Sequence, residues 1–248
     1  MNDEVKIIIL AAGQGTRMKS DLPKVLVPIR GKPMIKYLLE AVENSCIDNK
    51  PVIVVGHKKE EIMKTLGDKY EYVVQDEQLG TGHAVMTAEK TLKGVKNIIV
   101  LQSDHPFLKG VTIKKLLEKH LESKSKATIA TAEFSDFKDW KSVFFKTFSR
   151  IIRNEDGKII RDIQFRDASE AEKEITEVNP GYYCFNGKWL WEKLKILKTD
   201  NAQKQYYLPD LIKIAINEGE RLESLEIDLK EALTANSKEE LDILEKIA

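Results

Sequence analysis

The chain lacks most of the features that announce a function from composition. It has two cysteines in 248 residues. Cys46 and Cys184 stand far apart, in neither a metal-type nor a redox-type spacing, so they read as bystander or buried thiols in a reducing cytoplasm. The four histidines, His57, His83, His105 and His120, form no HExxH-like cluster, and zinc is not expected. There is no net charge, since 40 basic residues balance 40 acidic ones. No overall field therefore favours nucleic acid or an anionic membrane as partner. The longest apolar stretch, Ile7 to Ala12, is too short to span a bilayer. The amino terminus, Met1-Asn2-Asp3-Glu4-Val5-Lys6, lacks the basic start and apolar core of a signal peptide. What remains is a soluble, cytoplasmic protein, with a small polar ligand still open.

Hydrophobic residues make up 42% of the chain, enough for a sizeable core. A single domain spanning 1–248 is the expectation, because no repeat, low-complexity tract or Pro/Gly-rich linker divides it. Short β-branched runs at 5–10, 51–55, 70–75, 97–101 and 127–131 alternate with helical patterns at 33–45, 58–66, 82–92 and 111–123. That alternation predicts an α/β fold, with right-handed βαβ units around a mainly parallel, doubly wound sheet covered by helices on both faces. From 134 to 186 the pattern changes to strand-like runs without an obvious helix. Asn154-Glu155-Asp156-Gly157 reads there as a hairpin turn. This region, about 134–230, is expected to be an antiparallel insertion flanking the sheet. Helices follow at 189–197, 208–218 and 237–247, the last capped by Asn236 or Ser237, with a strand at 221–227.

In a doubly wound sheet ligands bind beyond the carboxyl ends of the strands. The first such loop is Leu10-Ala11-Ala12-Gly13-Gln14-Gly15-Thr16-Arg17-Met18. Its small residues let backbone N–H groups approach phosphate oxygens, and Arg17 offers a planar fork of donors. A third dinucleotide-type glycine would fall at Met18, and the Lys-Ser/Thr close of a P-loop is missing, so neither common cradle is present. Leu22-Pro23-Lys24-Val25-Leu26 follows, and Lys24 on its proline-stiffened loop supplies a second cation. The strand at 97–101 leads to Gln102-Ser103-Asp104. A carboxylate at a strand's carboxyl end is what an oxygen-liganded Mg²⁺ requires. Capping a helix after Pro106 is the plainer role for Asp104.

The segment Ala11-Ala12-Gly13-x-Gly15-Thr16-Arg17-Met18, with Pro23-Lys24-Val25-Leu26, resembles the signature of sugar-nucleotide pyrophosphorylases. Gln75-Asp76-Glu77-Gln78-Leu79-Gly80-Thr81-Gly82-His83-Ala84 narrows the likeness to the uridyltransferase domain of bifunctional bacterial N-acetylglucosamine-1-phosphate uridyltransferase/glucosamine-1-phosphate acetyltransferases. Asn179-Pro180-Gly181, Asn201-Ala202-Gln203, Tyr206-Tyr207-Leu208 and the Asn236 region extend it over the whole chain. The resemblance implies a Rossmann-like nucleotide-diphospho-sugar transferase fold, with UTP and a sugar 1-phosphate as ligands and Mg²⁺ as cofactor. It places the nucleotide on Leu10, Ala11, Ala12, Gly13, Gly15, Thr16, Gln75, Gly80 and Thr81. It gives catalysis to Arg17 and Lys24, the metal to Asp104 and Asn236, and the sugar to Gln102, Ser103, Gln164 and Asn179.

The sugar side departs from the family pattern. Gln102-Ser103 replaces Tyr-Gly, Thr147-Phe148-Ser149-Arg150 replaces Gly-Tyr-Gly-Arg, and Gln164 stands where the family has glutamate. A different sugar or alcohol phosphate, CTP or GTP in place of UTP, and a catalytically silent nucleotide-binding subunit are the rival readings. No counterpart of the family's acetyltransferase β-helix is expected within these 248 residues, and trimerisation through that half is not expected to transfer.

Overall fold

The computed structural model describes residues 4–18 and 20–248; residues 1–3, which enter the signal-peptide reading, lie outside the described residues. The strands are β1 (Val5–Ala11), β2 (Pro28–Ile29), β3 (Lys32–Pro33), β4 (Val52–Val55), β5 (Glu71–Val74), β6 (Asn97–Gln102), β7 (Ala127–Glu133), β8 (Ser149–Arg153), β9 (Ile159–Ile163), β10 (Glu177–Asn179), β11 (Tyr183–Asn186) and β12 (Leu222–Glu226). The helices are α1 (Met34–Ser45), α2 (Lys59–Leu66), α3 (Thr81–Thr87), α4 (Glu89–Leu92), α5 (Gly110–Ser123), α6 (Glu170–Lys173), α7 (Gly187–Leu194), α8 (Asp210–Asn217), α9 (Leu229–Ala232) and α10 (Lys238–Ile247). No helix among the described residues is long and apolar enough to cross a membrane.

A ten-stranded sheet runs in the order β5-β4-β1-β6-β11-β7-β10-β8-β9, and β12, off this path, pairs in parallel with β7. Strands β5, β4, β1 and β6 are parallel, as the alternating βα pattern implies. β1 explains its central place: Ile7, Ile9 and Ala11 pack into the core on one face, Ile8, Leu10 and Ala12 into the core on the other. A strand buried on both faces reads as an unbroken apolar run, not an alternating one. Trimming Ile8 to Ala would cost about 2–5 kcal/mol by the transfer and cavity terms. Helices α1 and α5 cover the first face, α3, α7 and α8 the second. In α1 the buried residues Met34, Ile35, Leu38, Leu39 and Val42 make one stripe, and Cys46 in the left-handed region ends the helix.

Three local expectations are refined and one is met. β11 lies antiparallel between β6 and β7, so the sheet is mixed at its centre. The hairpin at 154–157 forms, with Asn154 Oδ1 accepting from Lys158 N at 2.9 Å, and β8, β9 and β10 make the expected antiparallel flank, joined to the rest of the sheet through β7. The helix at 82–92 breaks at Ala88 into α3 and α4. A short helix, α6, interrupts 134–186, held by a capping box between Ser169 and Glu172.

Candidate active site

The loop after β1 turns on Gly15, whose φ of +63° suits a residue without Cβ. It also passes very close to the next turn, since a Cβ on Gly15 would meet Lys24 Cβ at 2.4 Å. Gly15 thereby seats the 3₁₀ turn Lys24–Leu26, which Val25 and Leu26 anchor in the core. Lys24 projects from it to the carboxyl ends of the strands. Its Nζ donates to Asp104 Oδ2, just beyond β6, and to Asn236 Oδ1 at 2.6 Å, just before α10. Three segments far apart in sequence thus meet at one point. Side-chain exposures of 13% for Lys24 and 14% for Asp104 leave the pair only a narrow opening to water.

Burial pushes the Asp104 carboxyl up, but the Lys24 ammonium, His105 and a hydrogen bond from Thr234 outweigh it and hold the group well below the usual carboxylate range. His105, buried beside it, is pushed down to about 4 by burial, with the Lys24 charge adding to the effect. It is neutral at physiological pH. Asp104 caps no helix, because α5 begins after Lys109. Asn236 is likewise free of capping: Ser237 caps α10 and Glu240 closes the box. The same Glu240 receives the backbone N–H of Asn236, and its Oε1 accepts from Thr147 Oγ1 at 2.5 Å. One buried carboxylate therefore ties Asn236 to the 147–150 loop.

Two clefts, of about 480 and 230 Å³, open on either side of this point and share Thr81, Gln102, Asp104, Gln205 and Asn236. The larger is lined by Leu10, Ala12, Gly13, Gly15, Arg17, Lys24, Gln75 and Gly80, and also by Gln14, Gln78 and Ala84. Arg17 is exposed on its rim. Gln75 is held by its Nε2, at 3.1 Å from Gly80 O and 3.0 Å from His83 Nδ1. Thr81 Oγ1 accepts from Leu208 N at 3.0 Å, pinning α3 to the segment before α8. Gly80 needs its φ of +109°, and a Cβ there would meet Tyr206 O at 2.6 Å. Ala11 points away into the α1 side of the core, and the Thr16 side chain is outside the described atoms.

The second cleft holds Gln102, Gln164 and Asn179 together, but not Ser103. Ser103 lies on the larger cleft and donates to Leu10 O at 2.6 Å. Sequence reading passed over His105, Tyr183, Gln203, Gln205, Tyr207 and Thr234, all of which line the second cleft. Gln203 and Tyr207 fall inside the 201–203 and 206–208 motifs, so their signal was present, and Gln205 lies between the two. Tyr183 and Thr234 gave none. Arg150 explains why the 147–150 loop holds its shape without the glycines. Its buried guanidinium donates to Phe145 O and Lys173 O at 2.5 and 2.9 Å and to Phe148 O at 2.9 Å, against the rings of Phe137, Phe145 and Phe165. Burial lowers its pKa to about 10.

This arrangement offers two cations and a small-residue loop on one side, an amide-rich cleft on the other, and a carboxylate and an amide oxygen between them. The sequence pattern of MobA-like NTP transferase domains matches residues 7–205. The chain belongs to this NTP transferase family. Bifunctional protein GlmU of Shouchella clausii is 43% identical over 233 residues, covering 93% of this chain and 49% of the relative. Bifunctional protein GlmU of Bacillus subtilis is 42% identical over 243 residues, covering 97% and 50%. The chain spans about half the length of these curated relatives. A candidate glucose-1-phosphate thymidylyltransferase from Bacillus anthracis superposes with a TM-score of 0.79 at 22% identity, covering 98% of this chain and 95% of that one, which bears on the fold alone. This NTP transferase is a nucleotidyltransferase-type enzyme, as its motifs indicated. Asn236 lies beyond the matched 7–205 span and reaches the site through Lys24.

Proposed function

We propose that this NTP transferase joins UTP to N-acetylglucosamine 1-phosphate, giving UDP-N-acetylglucosamine and pyrophosphate. The observation that carries this reading is the meeting of Lys24, Asp104 and Asn236 where the two clefts join. A triphosphate in the larger cleft and a sugar phosphate in the smaller one would bring their phosphates together there. A sugar 1-phosphate oxygen attacks the α-phosphorus in line, the bond to the bridging oxygen breaks, and pyrophosphate carries off the electron pair. The nucleophile is already anionic, so no general base is required.

The donor set suits an oxygen-liganded ion. Asp104 and Asn236 present two oxygens that already converge on a cation, the Lys24 ammonium. Among the described residues no group of three or more His, Cys, Asp or Glu could hold a metal, so phosphate and water oxygens would complete the shell, as Mg²⁺ prefers. Bound Mg²⁺ would supply charge neutralisation on the phosphates. The chain's own residues do the rest. Lys24 and Arg17 stabilise charge growing on the leaving pyrophosphate. The 12–16 loop and Gly80 admit the nucleotide closely, and Gln75, whose Nε2 is held by Gly80 O and His83, keeps its Oε1 to accept from the ring N–H of uracil. Gln102, Gln164 and Asn179 meet the neutral hydroxyls and amide of the sugar. Such small soluble substrates fit a cytoplasmic setting.

Mg²⁺-dependent pyrophosphate release, assayed with UTP, CTP and GTP against a panel of sugar 1-phosphates, tests the proposal. UTP with N-acetylglucosamine 1-phosphate is expected to be the best pair. Release only with CTP or GTP, or only with another sugar, would overturn the specificity assigned here.

A further inference from the structure

Asn179, Ser149 and Asp162 sit on three adjacent strands. Asn179 in β10 lies opposite Ser149 in β8, and Ile151, two residues along β8, lies opposite Asp162 in β9. Side chains alternate along a strand, so all three project to one face, that of the second cleft, which Ser149 and Asn179 line.

The Asn179 amide is oriented from both ends. The Gly181 N–H can only donate, and it does so to Asn179 Oδ1 at 2.7 Å. A carboxylate can only accept, and Asp162 Oδ2 takes one Nδ2 hydrogen at 2.6 Å. The other Nδ2 hydrogen goes to Tyr183 Oη at 2.9 Å. Both donors of the amide are spent, and a lone pair on Oδ1 is what it has left for a ligand. Asp162 sits behind this amide without lining the cleft, and its Oδ1 is buried with no partner among the described residues. A buried carboxylate with an unpaired oxygen is a costly way to hold strands together.

We propose that Asp162 is a positioning residue of the acceptor half of the site: by holding the Asn179 nitrogen it turns the Asn179 carbonyl to the cleft. The site thereby selects a sugar phosphate carrying a hydrogen-bond donor, a hydroxyl or an amide N–H, at that point. This rests on the reading of the second cleft as the sugar site. Burial pushes the Asp162 carboxyl up to about 6 against the hydrogen bonds from Ser149 and Asn179, with the Asp210 charge adding a little, so the group is mainly ionised at neutral pH and accepts only.

The test compares Asp162→Ala and Asp162→Asn in steady-state kinetics at pH 7.5, with N-acetylglucosamine 1-phosphate and analogues in which fluorine, which cannot donate, replaces one hydroxyl or the acetamido group. Asp162→Ala leaves the Asn179 nitrogen free to turn. Its KM for the sugar phosphate should rise about 10- to 100-fold while KM for UTP and kcat stay within about threefold. Asp162→Asn keeps an acceptor oxygen for Asn179 and should restore most of the affinity. One fluoro analogue should be rejected about tenfold or more by the wild type and far less by Asp162→Ala. An unchanged sugar KM in Asp162→Ala, equal losses for UTP and sugar, an Asn variant as poor as Ala, or equal analogue discrimination in wild type and Asp162→Ala would each overturn the assignment. Absence of turnover by the wild type would instead remove the function proposed above, a result distinct from all of these.

Discussion

Gly15→Ala separates two demands that the structure places on one residue. Gly15 has φ +63°, a conformation that costs a residue with a Cβ roughly 1–2 kcal/mol. Its added Cβ would also lie 2.4 Å from Lys24 Cβ, whereas carbon atoms in contact settle near 3.5–4.0 Å. Lys24 Cβ is bonded directly to the backbone, so relief requires the two turns to part by more than about 1 Å. A misplacement of that size costs on the order of 10² in rate when it reaches a group acting on the transition state. Gly31 supplies the control. It has φ +78°, so Ala is strained there too, but its Cβ would meet nothing within 4 Å. Both variants should lose a few degrees of melting temperature by circular dichroism, since 1 kcal/mol is worth about 2–4 °C in a chain of this size. Pyrophosphate release should fall about 100-fold in Gly15→Ala and stay near wild type in Gly31→Ala. Equal rates for the two variants, each folded, would refute the claim that Gly15 seats Lys24.

Arg17→Ala, exposed on the rim of the larger cleft, should leave the melting temperature unchanged and lower kcat by about 10² to 10³; a wild-type kcat would remove it from the mechanism. Glu240→Ala releases both Asn236 and Thr147. It should raise the Mg²⁺ concentration needed for half-maximal rate about 10- to 100-fold and cost about 1 kcal/mol of stability through the lost capping box, measured by metal titration and urea melts. Asp162 makes stability depend on pH. Its folded pKa, about 6, lies above the usual 3.8, so its favourable contribution is full below pH 3.8 and is lost as pH rises through 6. The span is about 3 kcal/mol for a shift of that size. Asp162→Asn, which cannot ionise, should therefore gain on the wild type in urea melts as pH rises from 4 to 7.5, and parallel profiles would contradict the raised pKa.

The sequence revealed those parts of the site that lie close together along the chain. The loop after β1 carries its glycines, Arg17 and Lys24 within fifteen residues, and Asp104 follows a short β-branched apolar run of the kind that forms a buried strand. The motif as a whole puts Ala11 at the nucleotide, where its backbone and not its side chain would make the contact. In a strand every second residue turns to the other face, and Ala11 belongs to that set. The sugar side was less legible for a different reason. Asp162, Asn179 and Tyr183 meet only because β11 returns antiparallel between β6 and β7 while β10, β8 and β9 extend the edge, and strand order leaves no local trace. Glu240 was passed over although Ser237 and Glu240 spell a capping box, because the box predicts a helix start and says nothing of Thr147 at the far end of the carboxylate. The Ser169-x-x-Glu172 box was visible by the same rule and would have disclosed α6.

The most direct test of the proposed function is pyrophosphate release with UTP and N-acetylglucosamine 1-phosphate, with and without Mg²⁺, in the wild type and in Lys24→Ala. Release that requires Mg²⁺ and both substrates, and that falls by about 10² to 10³ in a folded Lys24→Ala, is the predicted result. A folded wild type that binds UTP but releases no pyrophosphate with any sugar 1-phosphate would contradict it, and the two clefts would then belong to a nucleotide-binding module without catalysis.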